Sequence, residues 1–198
     1  MSADNFARRG LVLGGLVLLT SGCLPTFRSM RVAPGRPGTP VAQLDRRYWR
    51  QRVPYDTSEA PGSIVVDTSQ KYLYYVEGNG YAMRYGVAVG EEGLSLKGRA
   101  TVGRKAEWPS WTPSPSMIRR KPHLAQYAGG VPGGPDNPLG ARALYLYRGG
   151  VDTRFRLHGT NEPWTIGTAV SNGCIRLTND DAIDLYNRTS DGASVLVI

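Results

Sequence analysis

The chain has 198 residues, 40% of them hydrophobic, with 25 glycines, 14 prolines and a formal charge of +8. That is room for one ordinary domain with a leader and a linker, and the turn-rich composition favours short strands over long helices. The basic charges are scattered and nowhere interleaved with aromatics, which excludes a nucleic-acid strand platform and suits an anionic cell-wall polymer or acidic lipid surface.

Residues 1–23 read as an export signal. Arg8 and Arg9 precede the apolar run Leu11 to Leu19, which is too short to span a bilayer comfortably, and the small residues Thr20-Ser21-Gly22 lead to Cys23. The Gly22-Cys23 step resembles a bacterial lipobox, which implies acylation of Cys23, although Thr20 stands where that motif usually carries Leu. The expected location is the periplasm or cell envelope, with membrane contact only through that lipid anchor. Residues 24–62 read as a flexible tether, because Pro25, Pro34, Gly35, Pro37, Gly38 and Pro40 break regular structure. A short helical turn is allowed from Leu44 to Arg52.

A domain is expected over 63–198. Strands are predicted at Ser63 to Asp67, Tyr72 to Glu77 and Tyr81 to Val89, with Asn79-Gly80 as a hairpin turn. Tyr72, Tyr74, Tyr75 and Tyr81 read as half-buried cross-strand partners rather than a ligand platform. Residues 90–143 are rich in Gly and Pro and read as long loops lining a groove, with Trp108 and Trp111 packed on something solid. Arg119-Arg120-Lys121 reads as a solvated loop, and His123 as an exposed loop residue. Further strands are predicted at Leu144 to Tyr147 and Phe155 to Leu157, the second delivering His158 at its end. Thr178 with Asp180 and Asp181 starts a short helix, and Ser194 to Ile198 closes as a central strand. No metal is expected, since neither His-x-x-x-His nor Cys-x-x-Cys occurs, and no cofactor is implied.

The chemistry concentrates between His158 and Arg176. Cys174 is the one cysteine beyond the leader; with Cys23 at the cleavage point it stands alone in an oxidising compartment, which favours a working nucleophile over an inert thiol. A cysteine thiol needs a base, and His158, sixteen residues upstream, can supply one if the glycines, Asn161 and Pro163 fold the segment back. Gly173 lets backbone N–H groups approach a substrate carbonyl, so the N–H groups of Gly173 and Cys174 are candidate oxyanion donors. Arg176 can hold a thiolate or a substrate carboxylate.

His158-Gly159-Thr160 with Ser171-Asn172-Gly173-Cys174-Ile175-Arg176 resembles the signature of the L,D-transpeptidase catalytic domain, the YkuD-like family. Asn172 occupies its variable second position. Trp111-Thr112-Pro113 and the run Pro132 to Gly140 are similar to the family's substrate-side segments. The resemblance implies a mainly β fold, an L,D-transpeptidase-type sandwich of mixed β-sheets with a short C-terminal helix and long loops. It implies Cys174 as nucleophile and His158 as general base, with Ser171, Asn172, Gly173, Gly159 and Arg176 around substrate. It further implies a peptidoglycan stem peptide as donor, cut between diaminopimelate and D-alanine, and an amine acceptor on another stem or on a wall-linked protein. A backbone carbonyl is the family's usual partner for the histidine; Asp152 is the alternative within this sequence. Water as acceptor, a papain-like protease and a non-catalytic wall-binding lipoprotein are the competing readings. The papain order, cysteine first, is the reverse of the order here.

Overall fold

The computed structural model describes residues 44–91 and 96–198. The expected leader with Cys23, and the tether as far as residue 43, lie outside the described residues. From residue 44 the expected tether is ordered. Asp45 caps a single 3-10 turn, Arg46–Tyr48, by accepting from Arg47 N–H, and strand β1 (Gln51–Pro54) follows. The helical turn is where the sequence allowed it. The strand was not foreseen because Gln51-Arg52-Val53-Pro54 carries no apolar run; it forms by pairing with a partner distant in sequence.

The remaining elements are β2 (Ile64–Asp67), β3 (Tyr72–Gly78), β4 (Tyr81–Gly86), β5 (Val89–Gly90), β6 (Gly98–Glu107) and helix α1 (Pro115–Arg120). A 3-10 turn over Pro122–Tyr127 leads to β7 (Arg142–Arg148), β8 (Val151–His158), β9 (Ala169–Ser171), β10 (Ile175–Arg176), helix α2 (Asn179–Arg188) and β11 (Ser194–Val197). Nine strands form one mixed sheet in the order β1-β4-β3-β2-β11-β6-β7-β8-β10, and β5 pairs with β9 in a separate two-stranded sheet. The sheet is mixed because β11 runs parallel to β2, and β10 parallel to β8, while the other pairings are antiparallel.

Leu73 and Tyr85 from one half of the sheet, Leu144 and Leu157 from the other, and Ala182 and Leu185 of α2 belong to one buried cluster. The sheet therefore bends until both halves share a core with α2, and this curvature realises the expected sandwich. The alternation that builds it is plain in β8 and β10, where Leu157 and Ile175 point into the core and their neighbours do not. β11 is central, between β2 and β6, as its apolar sequence predicted. The β3–β4 turn uses Asn79 and Gly80 at φ +51° and +75°, which suits a two-residue hairpin. Thr178 caps α2 through its hydroxyl, which accepts from Asp181 N–H, and Asp180 and Asp181 occupy the first turn.

Several expectations are corrected. The strand expected through Val89 stops at Gly86; Val87 N–H still reaches Lys71 O beside β3, and from Ala88 onward the chain pairs elsewhere. The stretch 90–143 contains the ten-residue strand β6, in which only Ala100 and Val102 are buried; its polar face hid it in the sequence. Arg119 and Arg120 form the last turn of α1, capped at its start by Ser114, so they are not in a loop. Trp108 is 45% exposed, whereas Trp111 lies 6.2 Å from the Tyr127 ring. Tyr74 stacks on Tyr55 at 4.3 Å rather than on a β4 tyrosine, and Tyr75 turns inward to donate its hydroxyl to Arg188 O.

Candidate active site

β8 and β10 place the reactive groups. Their parallel pairing sets Ile175 opposite Leu157 and Arg176 opposite His158. Side chains alternate along a strand, so with the odd residue of one strand and its partner buried in the core, Arg156, His158, Cys174 and Arg176 all project from the opposite face. There they line a single cavity of about 610 Å³. The sixteen-residue separation is closed by the short sheet β5–β9 and the Pro163–Thr165 turn.

His158 is 4% exposed, and its Nδ1 lies 2.6 Å from the carbonyl of Gly159. A carbonyl only accepts, so Nδ1 carries the proton and Nε2 keeps its lone pair. Burial and the Arg176 charge push the imidazole pKa down to about 3, which keeps it neutral at ordinary pH. Cys174 is half-buried and unpaired, and its Sγ approaches Arg154 O at 3.9 Å. Burial pushes the thiol above its usual range, opposed by the Arg156 backbone N–H and the charges of Arg156 and Arg176. The pair is thus thiol and neutral imidazole, not a preformed ion pair.

The cysteine loop is tied from within. Ser171 donates its hydroxyl to Cys174 O and accepts from Gly173 N–H at 3.1 Å. Gly173, at φ +115°, allows that turn. Its N–H is therefore taken by Ser171, and of the two expected oxyanion donors Cys174 N–H is the one left for substrate. Asn172 accepts from Arg120 at 3.0 Å, fastening α1 to the loop. Arg176 does not stand free: its guanidinium is 2.8 Å from Glu162. Asp152 does not orient His158, because both its oxygens are held by Arg156 at 2.7 and 2.8 Å. Gly159 serves through close approach, since a Cβ there would meet Asn179 Oδ1 at 2.2 Å.

Asn179 is the group that sequence reasoning missed. Its Oδ1 accepts from Ala141 N–H at 2.9 Å and Thr160 N–H at 3.2 Å, joining the loop after His158 to the end of the Pro138-Leu139-Gly140 segment. The helix therefore braces the histidine side of the site. Arg156 was also missed; it lies 4.1 Å over the Tyr145 ring and completes a cavity wall. Arg119, Arg120, Arg154, Arg156 and Arg176 line the cavity, and among the described residues no Asp or Glu does. Trp111, Thr112, Pro138 and Leu139 are on its wall, as expected of a substrate side. His123 is exposed and away from it. Among the described residues no three His, Cys, Asp or Glu side chains gather into a metal set.

The model of the YkuD family, described as the L,D-transpeptidase catalytic domain, matches residues 61–197. The chain belongs to the L,D-transpeptidase catalytic domain family. Among its relatives, the Escherichia coli K12 protein named "Probable L,D-transpeptidase ErfK/SrfK" is 37% identical over 68% of this chain and 43% of its own length. The chain thus spans less than half of that L,D-transpeptidase relative. A Fuscovulum blasticum protein, named "Putative L,D-transpeptidase in ATP synthase subunits region ORF 5", is 32% identical over 98% of this chain and 99% of its own. A crystal structure from Brucella melitensis described as a "Probable carnitine operon oxidoreductase caia" superposes with a TM-score of 0.53. It is 47% identical and covers 78% of this chain and 96% of its own. Within the L,D-transpeptidase family, the fold described above places the motif's His158 at a strand end and its Cys174 in the adjoining loop, facing one cavity.

Proposed function

We propose that the protein is a cysteine acyltransferase of peptidoglycan stem peptides, an L,D-transpeptidase that breaks the diaminopimelate–D-alanine bond. The observation that carries this reading is the shared face of β8 and β10, which presents Cys174 and a neutral His158 to one arginine-lined cavity. His158 Nε2 takes the thiol proton as Sγ attacks the stem carbonyl, and Cys174 N–H stabilises the developing oxyanion. The tetrahedral intermediate collapses to a thioester, and the imidazolium returns its proton to the departing D-alanine amine. An acceptor amine then attacks the thioester, His158 takes its proton, and the thiolate is released and reprotonated. Arg176, with its partner Glu162, biases both groups electrostatically.

The arginine lining suits a donor with free carboxylates. The acceptor is an amine on a second stem or on a wall-linked protein; water in its place gives an L,D-carboxypeptidase. In this reading the protein acts in the cell envelope, reached through the export signal of residues 1–23 and held there by acylated Cys23. No helix among the described residues is long and apolar enough to cross a membrane.

Incubating the protein with purified muropeptides, followed by mass spectrometry, tests the reaction. A cross-linked dimer with loss of D-alanine is the expected product. Loss of D-alanine alone assigns hydrolysis, and identical spectra for wild type and Cys174→Ala overturn the assignment.

A further inference from the structure

One strip of backbone holds both ends of the loop that carries Cys174. Ala88 exchanges both backbone hydrogen bonds with Arg176, each 2.9 Å long. Three residues on, Glu91 N–H donates to Ser171 O at 3.0 Å, and between them Val89 pairs with Ala169. The same strip takes the approach to the loop as well, since Gly167 N–H donates to Val87 O and Val89 N–H to Thr168 O, each at 3.0 Å. Whatever backs this strip sets how firmly the thiol is held.

Its back is closed by the residues that were expected to be tether. Leu44, Ala88 and Ile166 form a small buried cluster of their own, with Tyr48, Trp49 and Val170 packed against it. Tyr48 sits where two glycines leave room, its backbone and Cβ against Gly86 and its ring against Gly167. A Cβ on Gly86 would come within 2.4 Å of Tyr48 Cβ, and one on Gly167 within 2.3 Å of the Tyr48 ring. Gly86 immediately precedes the strip, and Gly167, at φ +90°, lies between His158 and Cys174. The segment is fastened along its length: Trp49 Nε1 donates to Leu44 O, Tyr72 and Arg84 both donate to Arg47 O, and Arg50 is 3.1 Å from Asp184 of α2. None of these residues lines the cavity.

We infer that residues 44–50 are a positioning element for acyl transfer, with Tyr48 as its key side chain, acting through the Val87–Glu91 strip on the loop of Cys174. This rests on the reading of Cys174 as nucleophile. It places the functional boundary of the catalytic unit ahead of the family-matched region, which begins at residue 61. Without the Tyr48 ring, Gly167 faces a void while Gly86 keeps the Tyr48 backbone and Cβ, and the approach to the Cys174 loop loses its backing. A drift of about 1 Å at a reacting atom costs on the order of 100-fold in rate.

The test compares Tyr48→Ala, Tyr48→Phe and Tyr55→Ala in the full chain. Tyr55→Ala removes a stacked ring from the outer face of the same half of the sheet, away from the loop, and controls for lost stability. Stem-peptide turnover is measured per folded molecule. Tyr48→Ala is expected to lose about 10- to 100-fold in kcat with little change in KM, while Tyr48→Phe and Tyr55→Ala turn over as wild type does. Equal kcat for Tyr48→Ala and wild type, or an equal loss in Tyr55→Ala, overturns the inference. Amide hydrogen exchange separates this from a failure of the proposed reaction. Exchange at Gly167 and at Ser171 to Arg176 accelerates at least about tenfold in Tyr48→Ala and not in Tyr55→Ala; unchanged exchange there sinks the positioning role whatever the substrate. Should alanine at 48 prevent folding, Tyr48→Leu is measured by the same two readouts with the same criteria.

Discussion

Arg176 stands opposite His158 in the two-residue parallel pairing of β10 with β8, and its guanidinium is held 2.8 Å from Glu162. The cation acts on both reacting groups: it lowers the imidazole pKa and opposes the burial that raises the thiol. Removing the charge in Arg176→Gln should therefore raise both pKa values. Histidine titration followed by NMR, and the pH dependence of Cys174 alkylation, both move upward if this holds. A downward move of the alkylation profile rejects the assignment. Glu162→Gln unshields Arg176 and should move both curves the other way.

The neutral character of the pair sets how labelling should behave. A thiol raised by burial is protonated at pH 6, so iodoacetamide should modify Cys174 slowly there and faster as pH climbs past the ordinary thiol range. Cys174→Ala should turn over no substrate. His158→Ala, lacking the base, should lose roughly 10²- to 10⁴-fold in kcat. Rapid labelling at pH 6 with a plateau would mean a preformed ion pair instead.

Stability should fall on both sides of a neutral window. His158 is lowered to about 3 in the folded state, so below about 6.5 the unfolded chain binds the extra proton, and stability declines as pH falls toward 3. Asp152 and Asp184, both held below their usual range by arginines, add to the loss at the acid end. Cys174 is raised, so its contribution is complete below the unfolded thiol value of about 8.5 and is lost above it. Urea midpoints from pH 4 to pH 10 should peak between about 6.5 and 8.5. His158→Gln should flatten part of the acid limb.

Asn179→Ala should harm stability and activity together. It leaves the N–H groups of Ala141 and Thr160 without their acceptor, a cost of about 2–4 kcal/mol by chemical denaturation. The loop beside His158 loosens with it, so kcat per folded molecule should drop as well. Asn179→Asp keeps an acceptor oxygen and should recover most of both. A normal kcat in the folded alanine variant would show that the clasp serves the fold alone.

Asn172→Ala releases α1 from the cysteine loop by removing the Arg120 contact. The bond is exposed, so the melting temperature should hardly move. KM for stem peptide should rise about 2- to 10-fold, because substrate must then order the helix itself. Arg120→Gln should do the same, and a change confined to kcat would contradict this role.

Much of the site was legible in the sequence because the chemistry is local. A single cysteine beyond residue 23, a histidine at the end of an apolar strand, and Ser171 and Gly173 in the turn before the thiol need no partner to be read. Thr178 as a cap, Asn79-Gly80 as a turn and Ser194 to Ile198 as a central strand were equally local; all three are present, the strand ending at Val197. Strand β6 escaped because Arg99, Thr101 and Gly103 face outward and break the apolar run, so only its neighbours β11 and β7 make it a strand. Asn179 escaped for a different reason: at the start of a helix an Asn is ordinary, and the two N–H groups that donate to its Oδ1 lie 19 and 38 residues away.

By itself the sequence determined the candidate Cys–His pair, the mainly β class and the family motif, since each rests on residue type and short spacing. Tertiary structure alone decided that Gly173 N–H is spent on Ser171, that Arg176 answers to Glu162, that Asp152 belongs to Arg156, and that residues 44–50 back the active loop. Each of these depends on which of several equivalent polar or aromatic groups a distant segment brings within contact. A one-dimensional string carries the candidates, but the folded sheet selects the partner.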